Sequence, residues 1–99
     1  MLNSKERAKL RSLASNISAT TMLGKEGLTE TVLAQIDREL LARELVKVSV
    51  LESAEESAKD YLKQACEKLE AEEVCSIGRK FVLYRYSTKK GVKHIDFKN

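Results

Sequence analysis

The pattern of apolar and polar positions divides the chain into seven segments. Three of them repeat apolar residues at helical spacing, and four shorter ones have the alternation or composition of β-strands. They follow one another as helix, strand, helix, strand, helix, strand, strand. Strands joined through helices usually lie parallel with right-handed crossovers, and the final hairpin adds an antiparallel strand. The pattern therefore predicts an α+β fold of two layers, with helices packed on a mixed four-stranded sheet.

Each predicted helix has a start signal of its own. Asn3 with Glu6 has the spacing of a capping box, and Thr29 is a favoured N-cap residue. Ser53 with Glu56 forms a second capping-box pattern, so we expect the three helices to begin at these positions. The apolar residues predicted to be buried are Leu10, Leu13, Ala14 and Ile17 in the first helix, Val32, Leu33, Ile36 and Leu40 in the second, and Ala58, Tyr61, Leu62, Ala65, Cys66 and Leu69 in the third.

The strands are predicted from alternation and from turn residues. Residues 45–51 are the clearest case, because three valines alternate with Lys47 and Ser49. A hairpin is expected to turn at Gly78, Arg79 and Lys80. The four predicted strands cover residues 18–23, 45–51, 74–77 and 81–86.

The last part of the chain, residues 87–99, is basic and polar with weak periodicity. We expect this tail to be partly ordered at best, although the sequence HIDF at 94–97 could add an edge strand. His94 is the only histidine, and its place in the tail predicts a solvated surface residue. The sequence thus predicts a domain of residues 1–86 and a basic C-terminal tail of residues 87–99.

Composition limits the size and the class of the protein. Ninety-nine residues, 42% of them hydrophobic, predict one domain with a single modest core. No run approaches the roughly 18 apolar residues of a membrane helix, so we expect a soluble, cytoplasmic protein without a membrane partner. Cys66 and Cys75 lack the spacing of metal ligands and are expected to be reduced, small hydrophobic residues.

Charge is unevenly distributed along the chain, although the net charge is only +3. Residues 51–76 carry a net charge of −5, and residues 77–99 carry +6. Such segregation predicts one face that repels a polyanion and one that attracts it. A solvated surface without a partner could show the same distribution.

Catalysis is not supported by the side chains present. His94 is far in sequence from any candidate nucleophile, and the serine, cysteine and carboxylate residues show no triad or dyad spacing. The acidic residues of the third helix are typical of a solvated helix face rather than of a metal site. We therefore expect no enzyme activity, metal, cofactor or small-molecule substrate.

The stretch LGKEGLTE, at residues 23–30, places two of the four glycines three positions apart, directly before a predicted helix. Its spacing differs from that of a nucleotide phosphate loop, and it lacks the third glycine of a dinucleotide fingerprint. Helix N-termini attract phosphate, and Gly24 and Gly27 would let a sugar-phosphate backbone approach closely beside Lys25. Glu26 and Glu30 oppose this interpretation by their charge. The alternative is an ordinary turn, in which Gly24 could need a positive φ.

Three blocks together carry a family resemblance. LGKEGLTE is followed one helix later by ARELVKVSVL at residues 42–51, and then by SIGRKFVLYR at residues 76–85. In order and spacing these blocks resemble the CRM domain (chloroplast RNA splicing and ribosome maturation), in particular its single-domain bacterial YhbY-type form. The resemblance covers residues 3–86. The chain departs from the family at SNISATTML, where a basic residue and a proline usually precede the first strand.

The resemblance implies an RNA-binding module whose fold is related to the C-terminal domain of a bacterial translation initiation factor. Bacterial members of the family look like assembly factors that associate with precursors of the large ribosomal subunit. We therefore expect a non-catalytic, monomeric protein that binds ribosomal RNA or pre-50S particles. The family's GxxG loop, held to contact RNA, corresponds to Gly24, Lys25, Glu26 and Gly27, and its basic surface would include Lys5 and Lys9 of the first helix together with Arg79, Lys80 and Arg85.

Few aromatic residues are available to stack on bases. Tyr84, Tyr86 and Phe97 are the candidates, with core packing as the alternative for Tyr84.

A second functional hypothesis is a protein-interaction module. It would dock on a ribosomal or assembly-factor protein through the acidic third helix, with Glu55, Asp60 and Glu67 in contact with the partner.

Overall fold

The computed structural model describes residues 2–97, in which three helices and four strands alternate in the predicted order. The elements are α1 (Ser4–Ala14), β1 (Thr21–Leu23), α2 (Glu30–Arg43), β2 (Leu45–Val50), α3 (Ala58–Leu69), β3 (Glu72–Ile77) and β4 (Lys80–Tyr84). The strands lie in the order β1-β2-β4-β3. β1 and β2 are parallel, and β4 is antiparallel to both of its neighbours. The predicted α+β fold with a mixed four-stranded sheet is therefore confirmed.

Helices cover both faces of the sheet, because β4 is apolar on both sides. Phe81 and Leu83 belong to the core that β4 shares with α2 and α3. Val82 and Tyr84 point the other way and pack in a second core with Leu10 of α1. The helix α1 thus adds a third layer, opposite α2 and α3, to the two layers expected from the pattern.

The first two predicted helix caps are confirmed. The Asn3 side chain accepts from Glu6 N–H (2.8 Å), and the Glu6 carboxylate accepts from Asn3 N–H (3.1 Å). Thr29 Oγ1 accepts from Val32 N–H (3.2 Å) at the start of α2. These caps depend only on residues within one helical turn, which is why the sequence predicts them.

The predicted start of the third helix at Ser53 was wrong. The helix begins four residues later, where Ser57 Oγ accepts from Asp60 N–H (3.2 Å). Glu56 does not complete a capping box with Ser53, because its carboxylate accepts from Gln64 Nε2 instead (2.8 Å). Residues 51–57 therefore form a loop between β2 and α3.

Two predicted core positions of the first helix were also wrong. Leu13 and Ile17 are each 37% exposed. α1 packs on the sheet through Leu10 and Ala14 and ends there. The chain that follows passes Lys47, whose Nζ donates to the carbonyl oxygens of Ala14 and Ile17 (3.3 Å each). The chain joins the sheet only after this contact, so the first strand is Thr21–Leu23 rather than the predicted residues 18–23.

A buried carboxylate at the end of α2 binds the C-terminal tail. Glu44 has a side chain with no exposed surface, and its oxygens accept from Ser87 N–H (2.7 Å), His94 Nδ1–H (2.6 Å) and Ile95 N–H (2.9 Å). Burial alone would raise the pKa of Glu44, but these donors outweigh it and hold the pKa below its ordinary value of 4.5. The His94 ring also stacks on Tyr86 at 4.2 Å. His94 is therefore exposed at the surface, as the sequence predicted, but it is also a structural partner of Glu44 and Tyr86.

The sequence HIDF adds no strand to the sheet within the described residues. Ile95 and Phe97 pack instead on the α1-side core, where Phe97 contacts Tyr84 edge to face at 5.7 Å. Residues 98 and 99 of the predicted tail, and Met1 of the predicted domain, lie outside the described residues. The division at residue 86 stays a prediction.

The loop before α2 packs on α3 through a glycine. Gly27 has a φ of +65°, and a Cβ added there would lie 3.0 Å from Tyr61 Oη and 3.2 Å from Tyr61 Cε1. Tyr61 is buried, and its hydroxyl accepts from Glu56 N–H (3.3 Å), which fixes the ring. The fold itself thus requires glycine at position 27.

We expect Glu44→Gln to lower the free energy of unfolding by about 2–3 kcal/mol, because an amide cannot accept all three hydrogen bonds and carries no charge. Folding lowers the pKa of this carboxyl, so its contribution is complete above pH 4.5 and is lost as the pH falls through the lower folded value. Urea unfolding of both proteins should therefore show a difference that narrows on acidification.

Glu70→Gln is the matched control for this measurement. Glu70 also ends a helix with a positive φ of 54°, but its side chain is exposed. Its replacement should change the free energy of unfolding by less than about 0.5 kcal/mol. Equal losses in the two variants would contradict the role assigned to Glu44.

We expect Gly27→Ala to destabilise the fold by about 2–3 kcal/mol, because it combines backbone strain with a clash at Tyr61. Gly78 has a similar φ of +58° but open space around the added Cβ. Gly78→Ala should therefore cost only the backbone strain, about 1–2 kcal/mol. Equal losses in thermal melts would show that Tyr61 moves aside without cost.

Candidate nucleic-acid interface

Three connections meet at one end of the sheet. Strand register places Leu23 beside Val50, and Lys80 between Ser49 and Ile77. Backbone hydrogen bonds join the ends, from Leu51 N–H to Leu23 O (2.8 Å) and from Val50 N–H to Arg79 O (2.6 Å). We call this the glycine-loop end of the sheet, formed by residues 24–29, 51–57 and 78–79.

The GxxG sequence forms a tight turn at this end. Gly27 N–H donates to Gly24 O (3.0 Å), which leaves Lys25 and Glu26 at the two exposed corner positions. Within residues 2–97, the N–H groups of Lys25 and Glu26 have no acceptor. The turn therefore presents two unused backbone donors beside an exposed ammonium group, directly before α2.

The two glycines of the turn serve different needs. Gly27 requires glycine because of its positive φ and its contact with Tyr61. Gly24 has no such φ, so the expectation that this residue could need one was wrong. A Cβ on Gly24 would make ordinary contacts only, with Ser53 Oγ at 3.5 Å and Leu51 Cδ1 at 3.7 Å. The fold therefore does not require glycine at position 24, whereas the close approach of a ligand to the backbone there would require it.

The α3 side and the α1 side of the glycine-loop end differ in charge. The loop between β2 and α3 carries three exposed carboxylates, at Glu52, Glu55 and Glu56. On the α1 side, Arg11 and Lys80 line a cavity of about 280 Å³ that no carboxylate lines. A polyanion is therefore repelled from the α3 side and attracted to the α1 side. Arg11 is a basic residue that the sequence did not single out, since helical periodicity alone does not reveal which flank of α1 faces the turn.

The predicted basic residues do not all lie together. Arg79 and Lys80 are exposed at the glycine-loop end. Lys5 lies in the first turn of α1, which is bound to the other end of β3 through the hydrogen bond from Leu2 N–H to Glu72 Oε1 (3.2 Å). Lys9 lies one turn further along α1 and is half-buried. The structure thus brings Lys25, Arg79 and Lys80 to one end and Lys5 to the other.

Arg85 is occupied by contacts within the protein. Its guanidinium pairs with Asp37 Oδ1 (2.8 Å) and donates to Leu69 O (2.9 Å) and Asp37 O (3.3 Å). These contacts join α2 to the C-terminal end of α3. The geometry assigns Arg85 a structural role, away from the glycine-loop end.

The stacking candidates also lie at the other end of the sheet. Tyr84 is buried, and burial raises the pKa of its phenol, assisted by the charge of Glu44. Tyr84 therefore packs in the core, which was the alternative considered for it. Phe97 packs against Tyr84, and the exposed Tyr86 is stacked on His94.

The described residues contain no cluster of three or more His, Cys, Asp or Glu side chains that could hold a metal ion. Cys66 and Cys75 are free thiols, and burial, with Glu73 and Glu72 nearby, raises the pKa of Cys66 to about 12. A thiol with this pKa is not a nucleophile at neutral pH.

None of the helices within residues 2–97 has the length and apolarity needed to span a membrane.

Comparison with known proteins gives consistent results. The chain is 37% identical over 87 residues to Probable RNA-binding protein YqeI of Bacillus subtilis, covering 88% of this chain and 91% of that protein. It is also 37% identical over 86 residues to an RNA-binding protein of Haemophilus influenzae, covering 87% of each. The solution structure of the hypothetical protein SAV1595 from Staphylococcus aureus superposes with a TM-score of 0.77 at 39% identity, covering 91% of this chain and 94% of that one.

The model of one family matches almost the whole of the described fold. The match to the CRS1 / YhbY (CRM) domain covers residues 2–85, from the residue before the α1 cap to the residue after β4. It includes the GxxG turn, the central strand β2 and the β3–β4 hairpin, which carried the resemblance in the sequence. This chain therefore belongs to the CRS1/YhbY (CRM) domain family.

Proposed function

We propose that this protein binds RNA without catalysing a reaction, and that the glycine-loop end of the sheet contacts the RNA backbone. Family membership and the names of two relatives support RNA as the ligand class. The observation that carries the proposal is Gly24, a glycine that neither backbone conformation nor packing requires. Its missing side chain leaves room for a sugar-phosphate backbone.

The turn supplies suitable groups for a phosphate. The unused N–H groups of Lys25 and Glu26 can donate to phosphate oxygens, and the Lys25 ammonium adds a positive charge. The N-terminus of α2 begins five residues after Lys25 and favours an anion through its dipole. Arg79 and Lys80 extend the positive charge along the same end of the sheet.

Glu26 limits the affinity of this contact. Its carboxylate is exposed at the corner next to Lys25 and repels phosphate. Replacing Lys25 removes a positive charge from the turn, and replacing Glu26 removes a negative one. The two variants should therefore change the affinity for RNA in opposite directions.

The biological ligand that we propose is ribosomal RNA during assembly of the large subunit. This step rests on family membership and on the resemblance to bacterial assembly factors, not on a contact in the structure. The protein would act as a cytoplasmic monomer on pre-50S particles.

A groove of about 600 Å³ beside α3 keeps the protein-interaction hypothesis open as the alternative. It lies between α3 and the free edge of β3, and Glu67, Glu72 and Glu73 contribute carboxylates to it. Arg7 and Lys63 line the same groove, so its charge is mixed. Of the three carboxylates predicted for this contact only Glu67 lines the groove, because Glu55 lies in the loop before α3 and Asp60 in the first turn of the helix. If the acidic side of α3 binds a ribosomal protein, replacing Glu55, Asp60 and Glu67 together should weaken association with pre-50S particles while Lys25→Ala has little effect.

For the RNA contact, we expect Lys25→Ala to weaken binding to large-subunit ribosomal RNA fragments by about 1–2 kcal/mol, because one charged hydrogen bond to phosphate is lost. Glu26→Gln should strengthen binding. Gly24→Asp should weaken it most, because a carboxylate then occupies the space left for the backbone. Fluorescence anisotropy at several salt concentrations measures all three, and the salt slope of Lys25→Ala should be smaller by about 1.

Two controls separate a local contact from a general effect. Lys68→Ala removes the same charge from an exposed position in the last turn of α3 and should leave affinity nearly unchanged. Arg85→Gln should lower the melting temperature but not the affinity of the folded protein. Equal losses in Lys25→Ala and Lys68→Ala would show that only net charge matters and would contradict the proposed site.

A further inference from the structure

On the α1 face of the sheet, one row of four residues, one from each strand, is not covered by a helix. The strand registers pair Met22 with Ser49, Ser49 with Lys80, and Lys80 with Ile77. The neighbouring residues Leu23, Val50 and Phe81 belong to the core on the other face, so these four side chains point toward the α1 side. We call Met22, Ser49, Lys80 and Ile77 the open row.

The open row exposes large apolar side chains. Met22 is 62% exposed and Ile77 is 72% exposed, although both lie in strands. α1 does not cover these two side chains, because the helix ends at Ala14. The Ala14 carbonyl oxygen accepts a hydrogen bond from Lys47, which lies in the row of the sheet beside the open row. The row lies at the glycine-loop end, next to the turn that follows β1.

The charges beside the open row favour an anionic partner. Arg11, Lys47 and Lys80 line the adjoining cavity of about 280 Å³, and no carboxylate does. Lys47 is bound to carbonyl oxygens of the α1 terminus, whereas Arg11 and Lys80 form no ion pair with the residues that the structure describes. The combination of apolar surface with unpaired cations matches a ligand that has both flat apolar groups and negative charge.

We propose that a single-stranded RNA segment lies across the open row, with bases on Met22 and Ile77 and phosphates near Arg11 and Lys80. The inference rests on the proposed function and specifies the form of RNA at that site. Three strand spacings give the row a width of about 14 Å. In one common RNA-binding module, aromatic side chains on a four-stranded sheet hold two or three bases, whereas here the aliphatic side chains of Met22 and Ile77 would supply the apolar contact. Bases paired within a duplex cannot reach such a face, so a duplex would contact only the glycine loop.

The test compares a short labelled RNA strand of mixed sequence with the same strand annealed to its complement. The double variant Met22→Ser/Ile77→Ser removes the apolar surface at two exposed positions. It should weaken binding of the single strand by about fivefold or more, the loss expected for about 40 Å² of apolar contact between the two side chains and a base, and leave duplex binding nearly unchanged. The double variant Met22→Leu/Ile77→Leu should retain single-strand affinity, because it keeps an apolar surface.

Leu13→Ser is the control for loss of an exposed apolar residue. Leu13 lines a cavity with Ile17 and Ile95 on the flank of α1 opposite Arg11, so its replacement should not affect RNA binding. Thermal melts establish that each variant is folded, and the single variants Met22→Ser and Ile77→Ser replace the double variant if it is not.

Each outcome decides between the two proposals. Selective loss of single-strand binding in the serine variant, with rescue by leucine, supports the inference. Unchanged binding in the serine variant, together with weaker binding in Gly24→Asp, overturns the inference and leaves the proposed function intact. Equal loss with strand and duplex also overturns it, because base contact is then not what was removed. If the wild-type protein binds the large-subunit ribosomal RNA fragments but not the short single strand, the inference is overturned; if it binds none of these RNAs, the proposed function itself fails.

Discussion

Strand β4 is the element on which the rest of the structure depends, because it is paired along both edges and buried on both faces. Its edges pair with β2 and β3, which are distant from each other in sequence. Its faces bury Phe81 and Leu83 on one side and Val82 and Tyr84 on the other. Burying each of these side chains contributes about 1.5–3 kcal/mol, so both faces need cover. α2 and α3 cover one face, and α1 with the C-terminal tail covers the other.

The same strand separates a closed end of the molecule from an open one. At the C-terminal end of β4, Arg85 joins α2 and α3, and Glu44 binds the tail by three hydrogen bonds. Aromatic rings pack against each other there, Phe97 on the buried Tyr84 and His94 on the exposed Tyr86. At the other end, where β4 begins, the loops leave backbone donors, lysine side chains and two apolar strand residues exposed. Positive charge at this end is concentrated beside the cavity that Arg11 and Lys80 line, where no carboxylate contributes to the lining.

The two glycines of the GxxG turn differ in what the fold requires of them. Gly27 is constrained by its φ and by Tyr61, so a replacement there changes the fold and cannot test ligand binding. Gly24 is free of both constraints and is the position where a test reports on the ligand alone. A motif defined by sequence treats the two residues as equivalent, whereas their surroundings differ.

Much of the fold follows from local patterns. The order of elements, the caps at Asn3 and Thr29 and the alternation in β2 depend on residues within one or two turns or strand positions, and the sequence alone predicts them. The GxxG block and the two blocks that follow it also indicate the family by their order and spacing. For the candidate site, the sequence indicated the GxxG turn and six basic residues, of which Lys25, Arg79 and Lys80 lie at the glycine-loop end and Lys5, Lys9 and Arg85 do not.

Only the tertiary structure decided which of several similar charged residues binds another part of the chain and which stays exposed. Arg85 is structural because Asp37, 48 positions earlier in the chain, lies beside it. Glu44 binds Ser87 and Ile95 across 43 and 51 positions, and Arg11 lies near Lys80 through packing of α1 on the sheet. Periodicity and caps are properties of neighbouring residues, but burial and ion pairing depend on which distant segments meet.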